Sequence, residues 1–303
     1  MSRGAPDKGD KAMRFLRKLM IGLGLLAAVP LAAQGPVQQI AAKPAEQTPA
    51  VPPPPAGAAK LDAADVEAWL DGFMPYALAR GEVAGAVVVV VRGGGTVLQK
   101  GYGFADVASR KPVDPATTLF RPGSVSKLFT WTAVMQLVEA GKLDLDKDVN
   151  TYLDFKIPPF EGKPVTLRNI MTHTAGFEES IRYLISSDPK AAMPLKQLMP
   201  RAGPAGVFAP GSTPAYSNYA TALAGYIVQR TSGESFDDYI DRHIFAPLGM
   251  KYASFRQPLP AALAPFMSSG YRVMTDKAKP FEIVVPAPAG SLSASGGDMG
   301  KFM

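Results

Sequence analysis

A serine and a lysine three residues apart, Ser124 and Lys127 in "PGSVSKLFT", are well suited to nucleophilic chemistry. On a helix, residues i and i+3 lie on one face, so the hydroxyl and the amine would share one space. The run that follows, "LFTWTAVMQLV", is almost entirely apolar. Burial there would disfavour the charged amine and lower its pKa. The pair therefore predicts a serine nucleophile that is activated by a neutral or proton-sharing lysine.

The start of a helix would also stabilise negative charge at Ser124. A Pro-Gly dipeptide precedes the serine, and the free N–H groups of a first helical turn favour an anion. The Ser124 N–H could supply half of an oxyanion hole. Ser-x-x-Lys alone is a weak signal, since Ser187 and Lys190 also match it. Their polar, proline-containing surroundings indicate a surface loop.

A tyrosine and an asparagine, Tyr216 and Asn218, flank Ser217 where a second apolar helix begins, in "PGSTPAYSNYATALAGYIV". A phenol can pass a proton between a serine, a lysine and a leaving group, and an amide can both donate and accept a hydrogen bond. On its own, this triplet favours a helix cap beside a core tyrosine. It gains weight only in combination with the serine and lysine motif.

Together the two motifs resemble those of the class C β-lactamases and their relatives, the D-alanyl-D-alanine carboxypeptidases and serine esterases. "GKLDLDKDV", "VTLRNIMTHTAGF" and "HIFAPLGM" are similar to further stretches of that family. Tyr-Ser-Asn favours class C over the Ser-Asp-Asn of class A. The resemblance covers residues 66–303. It implies an α+β fold of the β-lactamase/transpeptidase type, with an antiparallel sheet flanked by helices and a mostly helical subdomain at about 142–285.

The resemblance also implies roles for four residues. Ser124 would be the acylated nucleophile, Lys127 and Tyr216 would transfer protons, and Asn218 would bind the substrate or orient Lys127. Which of Lys127 and Tyr216 is the base stays open. The implied substrate is a small molecule or a peptide: a β-lactam, a D-alanyl peptide or an ester, of which we favour the ester or peptide.

A third family motif, Lys-Thr-Gly or His-x-Gly on a strand beside the serine, is absent after Asn218. In the family this strand lends the second oxyanion N–H. We therefore expect the chain to be truncated at its C terminus, with the last part of the sheet missing. The same absence motivates an alternative function, a non-catalytic extracytoplasmic module that binds cell-wall peptide or a partner protein.

No cofactor or metal is expected. The chain has no cysteine, which excludes disulfides, cysteine nucleophiles and thiolate metal sites. Its two histidines, His173 and His243, make a weak metal site and are predicted to be structural core residues. Nucleic acid is not an expected partner because no basic stripe with interleaved aromatic residues occurs.

The N-terminal part predicts export to the periplasm or the extracellular space. Residues 1–35 hold six Lys or Arg and two Asp, and the basic stretch precedes an apolar run and small residues, as in a signal peptide. An uncleaved N-terminal membrane anchor is the alternative. Residues 36–60 contain seven prolines, which predicts a semi-rigid linker. Residues 61–303 would form the hydrolase domain; no oligomeric state is predicted.

Several elements can be predicted from pattern. Residues 63–74 show helical spacing after a capping aspartate. "GAVVVVVRGGGTVLQKGYGFAD" predicts two strands joined by a glycine turn, the first buried on both faces. Residues 124–141 predict a central apolar helix, and residues 235–245 an amphipathic one. A last helix is predicted near Asp298, capped at Ser295.

Overall fold

The computed structural model describes residues 61–303 and the single residue Gly57. The predicted signal peptide (residues 1–35) and, apart from Gly57, the predicted linker (residues 36–60) lie outside the described residues. Within the described part, no helix combines the length and the apolar character that are needed to cross a membrane.

The described part begins with helix α1, Ala63–Gly81, which starts at the predicted cap: the Asp62 side chain accepts a hydrogen bond from the Ala64 N–H. The helix runs past the predicted end at residue 74. An apolar stripe with a spacing of four residues continues through Met74 to Leu78 and packs against the neighbouring sheet. Tertiary packing thus extends the helix beyond its internal Pro75.

The predicted hairpin is confirmed by strands β1 (Gly85–Arg92) and β2 (Gly95–Asp106), which pair antiparallel. Gly93 and Gly94 turn the chain between them, at φ angles of 58° and 76° that suit glycine. Strand β3, Lys111–Pro112, completes a sheet of order β1-β2-β3.

The prediction that β1 is buried on both faces is wrong in part, because its residues from Gly85 to Val91 are only half-buried. Val88 and Val90 pack in the α1 cluster, while Val87 and Val89 lie against glycines of the last helix, α8 (Gly296–Phe302). Both faces are covered. However, β1 is an edge strand in the described part of the chain, so its side chains remain accessible from that edge.

A second small sheet lies beside the central helix. Its strands are β4 (Leu119–Phe120), β6 (Ala253–Ser254) and β8 (Ser293–Ser295), in the order β4-β8-β6 with antiparallel pairing. After β4, the 3-10 turn Gly123–Ser126 leads into helix α2, Lys127–Glu139. The helix ends at Ala140, before Gly141 with its φ of 68°. The predicted central helix is confirmed.

Residues 142–285 hold helices joined by irregular segments, and one short pair of strands besides β6. The elements are α3 (Leu167–Met171), α4 (Leu195–Ala202), α5 (Asn218–Ser232), α6 (Phe236–Ile240), α7 (Ala246–Leu248), and the paired strands β5 (Ile185–Ser186) and β7 (Ile283–Val284). Helix α5 packs against α2 in the centre of the core. Ser295 caps α8 as predicted, through the Asp298 N–H.

One predicted core residue lies elsewhere. His243 belongs to a π-helical turn, Asp241–Phe245, between α6 and α7. In an α-helix, His243 would lie close to the buried face of Ile240, three positions earlier. A π-helical turn has more residues per turn, so it rotates His243 further away from that face. The His243 side chain is therefore 40% exposed, with Nε2 2.8 Å from Glu234 Oε1.

Candidate active site

The candidate nucleophile, Ser124, is exposed on the 3-10 turn Gly123–Ser126. Ser126 is fully buried and anchors this turn: its hydroxyl donates to Gly123 O at 2.5 Å and accepts from the Leu292 N–H at 3.3 Å. Because the turn runs directly into α2, Ser124 lies in a first helical turn, where N–H groups have no intrahelical acceptor. Its N–H is therefore suited to bind a developing oxyanion.

Lys127 is the first residue of α2 and is 4% exposed. Its Nζ atom lies 2.7 Å from Asn218 Oδ1, 2.7 Å from Ala289 O and 3.1 Å from Ser124 Oγ. Burial lowers the pKa of the Lys127 amine below its ordinary value of 10.5, while Tyr216 and Glu179 act in the opposite direction. The amine is therefore buried at the start of an apolar helix, as predicted.

These three contacts specify how a neutral Lys127 would be oriented. A neutral amine has two N–H groups and one lone pair. The oxygens of Asn218 and Ala289 can only accept hydrogen bonds, and they are the two nearest partners. They take both N–H groups, so the lone pair faces the third neighbour, the hydroxyl of Ser124. In this state the serine donates and the lysine accepts.

Tyr216 and Asn218 come from the turn that enters α5. Ser217 caps this helix by accepting from the Ala220 N–H at 3.1 Å, which confirms the predicted cap. Tyr216, however, is not a core tyrosine. It is 45% exposed, and its Oη lies 2.5 Å from Ser124 Oγ. This short turn thus brings the Tyr216 phenol within hydrogen-bond distance of Ser124, and the Asn218 amide within hydrogen-bond distance of Lys127.

Two side chains near the site were not predicted to belong to it. Glu179, in the segment between α3 and β5, accepts from Asn218 N at 2.8 Å and from Asn218 Nδ2 at 2.9 Å. No motif or periodicity marks it in the sequence. His173, predicted to be structural, holds its ring 4.5 Å from the ring of Tyr216, and its carbonyl accepts from Ala215 N at 2.7 Å.

Burial, followed by the nearby charge of Lys127, lowers the pKa of His173 below 6.5. A neutral imidazole there packs against the Tyr216 ring without adding a charge to the site.

The second Ser-x-x-Lys match contributes nothing to this cluster. Ser187 and Lys190 are exposed and lie around the 3-10 turn Pro189–Ala191. That match is a surface loop, as predicted. Among the described residues, no group of three or more acidic, histidine or cysteine side chains could hold a metal ion.

Comparisons with known proteins identify the family and the fold of the chain. The family model "Beta-lactamase" matches residues 66–303. The "Putative penicillin-binding protein PbpX" of Bacillus subtilis (strain 168) is 34% identical over 179 residues, covering 57% of this chain and 43% of the relative. "Protein flp" of Staphylococcus aureus (strain MW2) is 29% identical over 198 residues, 64% of this chain and 39% of the relative. This chain thus spans less than half the length of these two relatives.

Two solved structures have the same fold. The octameric penicillin-binding protein homologue from Pyrococcus abyssi superposes with a TM-score of 0.65 at 28% identity, over 78% of this chain and 55% of the other. A class C beta lactamase superposes with a TM-score of 0.66 at 25% identity, over 80% of this chain and 65% of the other. The predicted α+β fold of the β-lactamase/transpeptidase type is confirmed, and the chain belongs to the beta-lactamase family.

Proposed function

We propose that the protein is a serine hydrolase that works through an acyl-enzyme on Ser124, with an ester, a D-alanyl peptide or a β-lactam as its substrate. One observation carries the proposal: Ser124 Oγ lies 3.1 Å from Lys127 Nζ and 2.5 Å from Tyr216 Oη. A serine hydroxyl is a weak nucleophile until a base within hydrogen-bond reach takes its proton. Here a buried amine and a phenol both lie within that reach.

In the proposed acylation step, Ser124 Oγ attacks the carbonyl carbon of the substrate and its proton moves to the lone pair of Lys127 Nζ. The carbonyl oxygen becomes an oxyanion, which the Ser124 N–H stabilises at the start of the helix. Tyr216 then donates its proton to the leaving alkoxide or amine as the bond to the carbonyl carbon breaks, and the protonated Lys127 amine returns a proton directly to the Tyr216 phenolate, with which it shares a hydrogen bond.

Deacylation follows the same path in reverse with water as the nucleophile. Water loses a proton to the Tyr216 and Lys127 pair and attacks the acyl carbon, and Ser124 Oγ leaves with that proton. The half-exposed position of Tyr216 supports this role, because the phenol borders solvent while Lys127 does not. Each candidate substrate has a carbonyl carbon bonded to the oxygen or nitrogen atom that leaves it, so the same residues could serve all three.

The test is covalent labelling of the full chain with a fluorophosphonate and with a fluorescent penicillin, followed by mass spectrometry of the labelled peptide. We expect an adduct on Ser124 in the wild type and in Ser187→Ala, which alters the exposed serine of the second motif. We expect none in Ser124→Ala. Absence of any adduct on folded wild-type protein would contradict the proposal. It would favour the binding module, for which Ser124→Ala should leave ligand affinity unchanged.

We also propose that the protein is exported, on the basis of the signal-peptide pattern in residues 1–35. N-terminal sequencing of the mature protein tests this. We expect the mature chain to begin near Ala33 or Gly35. Met13, which also precedes a basic stretch and the apolar run, is a second possible start. A chain that still begins at Met1 or Met13 would contradict cleavage and would support the uncleaved anchor.

A further inference from the structure

Glu179 holds Asn218 by both of its carboxylate oxygens. Oε2 accepts from the backbone N–H of Asn218 at 2.8 Å, and Oε1 accepts from the side-chain Nδ2 at 2.9 Å. The two residues are 39 positions apart in the chain. Glu179 lies on the segment between α3 and β5, whereas Asn218 begins α5. The carboxylate therefore ties a loop to the start of α5, where Asn218 contributes to the candidate site.

A carboxylate also determines which way the amide of Asn218 points. An ionised carboxylate can only accept hydrogen bonds, so it must face the NH₂ end of the amide. The oxygen end, Oδ1, then faces Lys127 Nζ at 2.7 Å. A flipped amide would place oxygen against the carboxylate and NH₂ against the amine. The contacts of Asn218 with Glu179 and with Lys127 therefore both disfavour the flipped amide.

The orientation of the amide matters for the base. Oδ1 of Asn218 and the carbonyl oxygen of Ala289 take the two N–H groups of a neutral Lys127 and leave its lone pair for Ser124. Without Oδ1 in that place, the amine could turn an N–H toward Ser124 and its lone pair elsewhere. Hydrogen bonds that orient a metal-ligating side chain are commonly worth about 10- to 100-fold in affinity or activity, and we expect the same order for the orientation of Lys127.

We infer that Glu179 is a positioning residue, which locks the Asn218 amide so that Lys127 presents its lone pair to Ser124. This inference rests on the proposed function and refines it. It assigns Asn218 to the orientation of Lys127, one of the two roles that the family resemblance left open.

The charge of Glu179 has a separate effect. The titratable groups that face Lys127 are Tyr216, Glu179 and His173. Burial lowers the pKa of the Lys127 amine, and the Glu179 carboxylate partly opposes this by favouring the protonated amine. Removing the carboxylate charge should therefore lower the pKa of Lys127 further and extend activity to lower pH, even as the loss of orientation lowers the maximal rate.

The main variant is Glu179→Gln, which keeps the shape of the side chain, removes its charge and turns one acceptor into a donor. Glu178→Gln is the matched control, because it makes the same change at the adjacent, exposed residue. The readout is the second-order rate constant for acylation of Ser124 by a fluorophosphonate and by p-nitrophenyl acetate, measured across pH. Thermal unfolding of each variant checks the fold.

We expect Glu179→Gln to slow acylation by roughly 10- to 100-fold and to move the acid limb of the pH profile to lower pH, whereas Glu178→Gln changes neither. Glu179→Asp keeps the charge on a shorter stem and should recover part of the rate. In an Asn218→Ala background, Glu179→Gln should cause no further loss, since its effect passes through the amide. Equal rates for the two glutamine variants, or a full loss in the Asn218→Ala background, would overturn the inference.

A second measurement separates this inference from the proposed function. The side-chain NH₂ signal of Asn218 in a ¹⁵N–¹H spectrum can be assigned because it disappears in Asn218→Ala. In the wild type this signal should lie downfield of free asparagine side-chain amides, because the NH₂ donates to a carboxylate. The shift should be lost in Glu179→Gln and kept in Glu178→Gln. If the wild type is never acylated but this shift is present, the proposed function fails and the positioning contact stands. If the wild type is acylated and the shift is absent, the inference fails alone.

Discussion

Replacement of Lys127 by methionine tests the proposed base most directly. Methionine keeps an unbranched apolar stem, but it has no amine. The control is Lys190→Met, the same change in the exposed second Ser-x-x-Lys match. Because Lys127 is 4% exposed and Lys190 lies on the surface, only the first change removes a buried amine from a serine.

The expected magnitude follows from the protonation of the amine. With the ordinary pKa of 10.5, about one lysine in a thousand would be neutral at pH 7.5. Each unit by which burial lowers that pKa raises the neutral fraction tenfold. The wild-type acylation rate should therefore rise about tenfold per pH unit at low pH and level off above the pKa of the Lys127 amine. The midpoint of this rise should lie below 10.5, since a lowered pKa means that the amine loses its proton at lower pH.

Loss of a positioned general base costs about 10²- to 10⁴-fold in rate. We therefore expect Lys127→Met to lose that factor together with the pH dependence, and Lys190→Met to retain both. The assay is the acylation burst with a p-nitrophenyl ester between pH 6 and 10. Methionine leaves Asn218 Oδ1 and Ala289 O without their donor, so thermal unfolding must accompany the kinetics. A folded Lys127→Met that keeps its rate within tenfold, or keeps the rising limb, would refute Lys127 as the base.

Two further changes test the proton relay and the core. Tyr216→Phe keeps the ring against His173 but removes the Oη that lies 2.5 Å from Ser124 Oγ. Steady-state hydrolysis should fall by about 10²- to 10⁴-fold, with little change in melting temperature. An unchanged turnover would contradict the proton relay. Phe129→Ala should lower the free energy of unfolding by about 3–5 kcal/mol, because Phe129 is fully buried and stacks on Phe302 at 3.9 Å. The control for urea denaturation is Leu128→Ala, which is 50% exposed and should stay within about 0.5 kcal/mol; similar losses in both would contradict this account of the core.

Local patterns predicted much of the molecule correctly. The turn before Ser124, the central apolar helix, the glycine hairpin and the caps at Asp62 and Ser295 depend on contacts between residues a few positions apart. Such contacts follow from backbone geometry and from the side chains of neighbouring residues, both of which are visible in the sequence. The four candidate residues were identified from two short motifs, and their expected roles come from the family resemblance that those motifs carry.

Other features depend on which distant segments the fold brings together. Tyr216 could be a core tyrosine by its pattern, and its place on Ser124 depends on a contact across 92 residues. Likewise, α1 extends past its internal proline because its apolar stripe packs on the sheet. Strand β1 remains half-buried because it lies at the edge of the described sheet, and His243 is exposed because a π-helical turn rotates it outward. Local propensity is weaker than these tertiary interactions, so no sequence pattern predicted them.

The partners of Lys127 and Asn218 illustrate the physical reason. Lys127 donates to the backbone oxygen of Ala289, 162 residues away, and every residue carries such an oxygen, so the identity of residue 289 says nothing about it. Glu179 holds Asn218 across 39 residues from a segment without regular periodicity. The chemical character of the site therefore follows from residue types that can be recognised in the chain. Its orientation follows from hydrogen bonds that exist only once distant loops have closed around it.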